Sequence, residues 1–240
     1  MNSPLNLHAL PLFPLGAVLF PGGHLPLRIF EVRYLDMIGK CHKAGAPFGV
    51  VSLTAGSEVQ RPGAGAADPA ANAAAESTAS STAAPAARTP GAFAPETFQT
   101  IGTLAVIEEF SAPQAGFMLI RCRGMQRFRI DRQERLSYGL WVADVTHIAD
   151  DVAIPIPPDL QRVANALGKV IATLQTRQVP EAQWPFRAPY LLEDCAWVAN
   201  RWCELLPLPP AQKQQLMALD NPLVRLELVS DMLVNSGIVG

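Results

Sequence analysis

The spacing of apolar residues changes along this chain, and each change marks an element. From Leu25 to Ile29, apolar Leu25, Leu27 and Ile29 alternate with Pro26 and Arg28, which predicts a strand. Phe30, Tyr34, Met37, Ile38 and Cys41 then recur at helical spacing, so a short amphipathic helix follows over roughly 31–44. Glu31 falls in its first turn, where the helix dipole favours a carboxylate, and Gly45 is placed to cap its end. Phe48–Leu53 predicts a second strand after the turn signal Ala44–Pro47, and Thr100–Phe110 a third. Phe117–Asp131 reads as two strands around Arg123–Gly124–Met125. In the first arm Met118, Ile120 and Cys122 alternate with Leu119, Arg121 and Arg123; in the second, Phe128 and Ile130 alternate with Arg127 and Arg129. A period of two sets the four arginines on one face and the apolar set on the other. With Leu140–Ile148 this makes about six strands and one helix, spaced for a barrel-like sheet rather than a βαβ stack.

After Ile154–Pro158 the period lengthens. Leu160, Val163, Ala164, Leu167, Val170, Ile171 and Leu174 lie on one face of a helix. A second helix is expected from about Pro189 to Leu206, stopped by Pro207, Pro209 and Pro210, and a short one over Ala211–Leu219. Asn221–Pro222 reads as an N-cap followed by a first-turn proline, opening a last helix that carries Leu223, Leu226, Val229 and Leu233 and ends near Gly237. The expected class is therefore α+β: a β-rich part over 1–150 and a helical bundle over 155–240.

Periodicity vanishes in an insert at about 55–97. No Val, Ile, Leu or Met occurs between Val59 and Ile101, and 15 of the 37 residues from Arg61 to Thr97 are Ala. Such a segment buries too little apolar surface to offset its ordering entropy, and Pro69, Pro85, Pro90 and Pro95 interrupt any helix. A long mobile surface loop is expected, and closing it costs little more than closing a short one. Deleting 61–97 and joining the ends with a Gly/Ser link should then change stability little.

Composition narrows the class. The 240 residues are 49% hydrophobic and 17% charged, enough for a sizeable core, and the net charge of −2 excludes a polybasic nucleic-acid or membrane binder. Arg outnumbers Lys 15 to 4. Cys41, Cys122, Cys195 and Cys203 form no C-x-x-C pair and read as buried thiols of a reducing compartment. No Lys or Arg precedes Arg28, and Pro11, Pro14 and Pro21 break the apolar start, so a secretory signal is not expected; no run of 18 apolar residues spans a membrane. The expected location is the cytoplasm.

One stretch, Leu10–Ile38, is similar to the opening motif of the Lon protease N-terminal domain family: Pro11–Leu12–Phe13–Pro14, Leu19–Phe20–Pro21–Gly22, Leu25–Pro26–Leu27, then Ile29–Phe30–Glu31 with Arg33–Tyr34. Gly102 with Ile107–Glu108, Gly124–Ile130 (GMQRFRI), Leu206–Pro207 and Asn221–Pro222–Leu223 also resemble that family, so the likeness covers nearly the whole chain except the insert. The resemblance implies a PUA-like β pseudo-barrel followed by a helical bundle. It also implies a substrate-recognition module that captures protein and does no chemistry. A stand-alone form is expected, without ATPase or peptidase. The phosphate-cradling G-x-x-x-x-G-K-[ST] is absent, and Leu167–Gly168–Lys169–Val170 lies mid-helix without the needed hydroxyl. Lys40, Lys43, Lys169 and Lys213 offer no base for a Ser–Lys dyad.

Candidate chemistry is otherwise thin. His8, His24, His42 and His147 show no ligand spacing, G-x-S-x-G is absent, and the neighbours Glu108–Glu109 and Glu193–Asp194 point apart on a helix or strand, as on a solvated face. No catalytic residue, cofactor or metal is expected. Phe13, Phe20 and Phe30 read as barrel-closing core, and Trp184, Trp197 and Trp202 as packing of the helical part. The function expected is ATP-independent binding of unfolded or degradation-prone polypeptide, in a groove between barrel and bundle, for presentation to a separate protease. The alternative is RNA binding along the face of Arg121, Arg123, Arg127 and Arg129, within a stretch that also holds Arg132 and Arg135; only Phe128, flanked by Phe117 and Tyr138, would stack bases there.

Overall fold

Strand pairing organises the first half of the chain. The computed structural model describes residues 6–56, 96–180 and 184–239; most of the Ala-rich insert lies outside the described residues. The strands are β1 Asn6–Leu15, β2 His24–Ile29, β3 Phe48–Ala55, β4 Thr97–Phe98, β5 Ile101–Gln114, β6 Phe117–Arg135 and β7 Trp141–His147. Their order is β1-β7-β6-β5-β3-β4, and β1 also pairs with β3 in parallel, from Leu12↔Gly49 to Leu15↔Ser52, so five strands return on themselves. Those five supply one apolar cluster: Leu10 and Leu12, Val51, Leu104, Phe128, and Ala143 with Val145. β2 lies off the ring, paired with the first half of β6.

Helix α1 (Val32–Ala44) covers one side with Tyr34, Met37, Ile38 and Cys41, packed against Phe13, Ile29, Phe48, Ala105, Ile120 and Cys122. Gly45 ends it as expected, at φ 60°, a left-handed conformation that glycine enters without steric penalty. Glu31 instead precedes the first turn and accepts from Arg33 Nε at 3.0 Å.

The remaining helices are α2 Gln161–Thr176, α3 Cys195–Leu205, α4 Pro210–Ala218 and α5 Pro222–Asn235. Val163, Leu167, Val198, Trp202, Leu226, Val229 and Leu233 share one core, and Phe20, from the link between β1 and β2, is fully buried in it. Asn221 Oδ1 accepts from Leu223 N at 2.9 Å and so starts α5 in the expected way.

Four elements depart from the sequence expectations. In sequence β1 shows only a proline-broken apolar start; its Pro11 sits opposite Val142, and the register slips between Leu7 and Leu10, with Ala9 at φ 51°. Phe117–Asp131 is no hairpin but part of one 19-residue strand. α3 starts at Cys195 rather than near Pro189, because Asp194 Oδ1 caps it by accepting from Trp197 N at 2.7 Å, while Asp194 also bridges to Pro155.

The fourth departure is the end of the insert. Glu96 is buried; it accepts from Arg33 Nη2 at 3.2 Å and from Trp141 Nε1 at 2.7 Å. A deletion carried through residue 97 removes this carboxylate, whereas one ending at 95 keeps it. The longer deletion is expected to unfold with about 2 kcal/mol less stability than the shorter, since the buried Arg33 and Trp141 Nε1 both lose the Glu96 carboxylate. Equal urea midpoints for the two would show that Glu96 contributes nothing.

A candidate docking groove at the seam of sheet and helices

The seam begins with one extra residue in β6. Thr103 pairs with Arg127 and Ala105 with Gly124, so Leu104 alone in β5 opposes both Met125 and Gln126 in β6. Such a bulge reverses the side-chain alternation. Arg127 therefore shares the face of Gly124, Cys122 and Ile120, not that of Arg121 and Arg123, and its side chain is only 3% exposed.

Arg127 enters the seam beside Arg225 of α5. Arg127 Nη1 donates to the Met217 and Leu219 carbonyls at 3.0 and 2.9 Å, and Arg225 Nε to the Leu216 carbonyl at 2.9 Å. Arg225 Nη2 also bonds the Leu219 carbonyl. These are carbonyls at and just past the end of α4, which have no partner within the helix. Asp151 neutralises both cations, accepting from Arg127 Nη2 at 3.0 Å and from Arg225 Nη1 at 2.6 Å, and Asn200 Oδ1 accepts from Arg225 Nη1 at 3.0 Å. Burial pulls the Arg127 guanidinium below its ordinary value; Asp151 opposes this and Arg225 adds to it.

A second latch holds the link between β1 and β2. Arg201 of α3 donates from Nη1 to the Gly22 carbonyl at 2.6 Å, and from Nη2 to the Pro21 carbonyl at 2.9 Å and Glu204 Oε1 at 2.8 Å. Burial pushes the Glu204 carboxyl up to about 7 from 4.5, against the opposing pull of Arg201. Within that window the folded chain holds a proton that the unfolded chain has released, so this group makes stability fall as pH rises through it. Glu204→Gln is expected to remove that fall, read as a smaller difference between urea midpoints at pH about 5 and about 8. An unchanged difference would mean that Glu204 is not the group responsible.

Between the latches the surface is open. Pro21, Arg127, Asp151, Leu191, Trp197 and Asn200 help line a cavity of about 220 Å³. Leu191 and Asp194 also line a neighbouring depression of about 560 Å³, whose walls are Ala153–Pro155 and Tyr190–Asp194. The two hollows adjoin at Leu191 and Asp194, and together they are called the seam groove. Its floor is fixed by backbone bonds: Ile156 N donates to the Glu193 carbonyl at 3.1 Å, and Cys195 N to the Ile154 carbonyl at 2.9 Å. Its apolar wall is unusually exposed, Leu191 by 49% and nearby Val152 by 73%. Trp197 packs edge-on to Phe186 at 6.1 Å, which stiffens that wall.

The other arginines singled out in the sequence lie elsewhere and apart. Arg121 Nε donates to Glu109 Oε2 at 3.2 Å, and Arg123 Nε lies 2.9 Å from Glu108 Oε1. Glu109 also accepts from Arg187 at 2.8 Å, and Glu108 lies 3.3 Å from His24 Nε2. Arg129 is exposed. The common face read from the period of two is thus corrected by the bulge, and Glu108 and Glu109 serve as counter-charges.

β2 borders a second apolar surface. Phe13 and Phe20 are buried as expected, but Phe30 is 50% exposed, and Val32 and Leu119 are exposed as well. Hollows of about 590 and 240 Å³ flank β2, both touching Pro26, Leu27 and Arg28. Pro26 has no N–H to offer an added strand, so this edge is poorly suited to pairing with another chain.

All four cysteines are free and buried, and burial pushes the Cys122 and Cys203 thiols up to about 12. Among the described residues no group of three or more His, Cys, Asp or Glu converges as metal ligands, and no helix is long and apolar enough to cross a membrane. The sequence does not locate the groove, because its walls come from Pro21, Arg127, 150–155 and 190–200, which are far apart in the chain.

Comparison with known proteins supplies the family. No curated protein matches the chain. A crystal structure of a Lon N-terminal domain protein from Xanthomonas campestris superposes with a TM-score of 0.63 at 28% identity, covering 94% of this chain and 98% of that one. The N-terminal domain of Lon protease from Mycobacterium avium complex shares the fold, with a TM-score of 0.50 at 15% identity over 93% of this chain and 96% of that one. The family profile of the substrate-binding domain of ATP-dependent protease La (LON) matches residues 9–235, and this chain belongs to that family.

Proposed function

We propose that this protein is a non-enzymatic, ATP-independent module that binds unfolded or degradation-prone polypeptide in the seam groove, in the cytoplasm, and passes it to a separate protease. Membership of a substrate-binding family supports binding of protein substrates. The ring of strands supports a PUA-like pseudo-barrel over 1–150, and the shared core of α2 to α5 supports a helical bundle over 155–240. The single observation that carries the reading is an open groove with Leu191 half exposed between two rigid latches. Apolar contact of that kind tolerates many sequences.

The test is anisotropy with a labelled, casein-like unfolded polypeptide. Binding in the micromolar range is expected, and Leu191→Asp should weaken it about tenfold, in line with loss of one buried leucine contact. No binding at high micromolar concentration would overturn the reading. RNA binding is the competing function. Its support is the exposed Arg129 and half-exposed Arg123, but Arg121 and Arg123 already face glutamates and Arg127 is structural. It would be favoured by a steep fall of RNA affinity with salt that charge reversal at Arg121, Arg123 and Arg129 removes.

A further inference from the structure

Accepting polypeptide binding as the function, we infer that the seam groove selects extended cationic segments in which basic residues flank a bulky apolar one. The groove has an apolar centre and acidic ends. Leu191 belongs to both lobes, whereas Asp150 lines only the smaller and Glu193 only the larger. The other two carboxylates are already engaged: Asp151 holds Arg127 and Arg225, and Asp194 caps α3. Asp150 and Glu193 are not. Among the described residues the one hydrogen bond to the Asp150 carboxylate comes from the uncharged Gln126 amide at 3.4 Å, its pull on Arg127 is the weakest of those acting there, and Glu193 makes no side-chain ion pair. Arg127, the one cation in the lining among the described residues, is 3% exposed and held by Asp151 and the α4 carbonyls; Asp150 is the last and smallest of the charges acting on it, so it offsets them only weakly. An occupant that puts an apolar side chain on Leu191 thus meets a free carboxylate on either side. A lysine or arginine there would be paired, and a glutamate repelled.

Rim charges are screened and individually weak, so they add selectivity and salt dependence to a contact that Leu191 anchors. The test uses the full chain and three labelled synthetic peptides with the same apolar residues, spaced by Lys, Ser or Glu. The Lys peptide is expected to bind about tenfold tighter than the Glu peptide at low salt, with the gap closing as salt rises. Asp150→Lys/Glu193→Lys should reverse the order. Control Glu134→Lys/Asp231→Lys makes the same change in net charge at exposed positions outside the groove and should leave the order intact. If the control abolishes the preference as well, attraction is to overall charge and the inference falls. If all three peptides bind alike yet Leu191→Asp weakens them, cation selection falls while polypeptide binding stands. If none binds, both fall. Should the double Lys variant lose its far-UV signal, Asp150→Asn/Glu193→Gln serves instead, and must shrink the preference; an unchanged preference overturns the inference.

Discussion

An Asp151→Ala variant is expected to lose about 4 kcal/mol of unfolding free energy, because two guanidiniums would then share the seam with no carboxylate between them. Their side chains are 3% and 1% exposed, so water cannot take over. The remaining acceptors are carbonyls at the end of α4 and the Asn200 amide, none of which carries a full negative charge. Asp220 lies 3.4 Å from Arg127 Nη1, but it is 81% exposed and its charge is screened by solvent. Replacing Arg127, Asp151 and Arg225 together by apolar residues of similar volume should recover part of the loss, because the desolvation cost goes with the charges. The two variants separate a missing counter-charge from missing packing. Urea unfolding reads both; a loss under about 1 kcal/mol for Asp151→Ala would show that the cations find another partner.

Gly124→Ala is expected to cost about 3 kcal/mol, at the upper end for a single added methyl. Gly124 N donates to the Gly23 carbonyl and Gly22 N to the Gly124 carbonyl, both at 2.8 Å, so β6 lies directly against the link that Arg201 grips. A Cβ there would sit 2.3 Å from the Phe20 carbonyl oxygen and 3.1 Å from Leu19 Cγ. The first obstacle is backbone, which no rotamer change relieves. Either both hydrogen bonds lengthen, or Phe20 is drawn from the helical core that it fills. A drop in melting temperature with an unchanged denaturant slope is the expected signature; a variant as stable as the parent would mean that the link moves freely.

Most helices could be read from the sequence because their determinants are local. The apolar stripe of α2, the Asn221–Pro222 start of α5 and Gly45 after α1 act within a few residues. The failures come from distant partners. Leu191, Leu192 and Cys195 fit a helical stripe, but a turn closed by Asp194 N on the Leu191 carbonyl, with Asp194 extended and bridged to Pro155, replaces a helix before Cys195. Arg127 looks in sequence like Arg121 and Arg123; only the register against β5 reverses its side. β1 was obscured by prolines, and what pairs it lies in β3 and β7. The groove inherits this problem, since nothing in 150–155 alone points to 190–197.

The short β3–β4 pairing has a use in engineering. Leu53 stands opposite Phe98 and Ala55 opposite Thr97, so the chain leaves and re-enters the sheet at neighbouring points. Whatever is spliced between Gly56 and Glu96 is an excursion with its ends already tied, and doubling its length adds only about 0.6 kcal/mol of closure entropy. The junction is therefore a natural port for a passenger domain with closely spaced termini, such as a fluorescent reporter, provided that Glu96 stays in place.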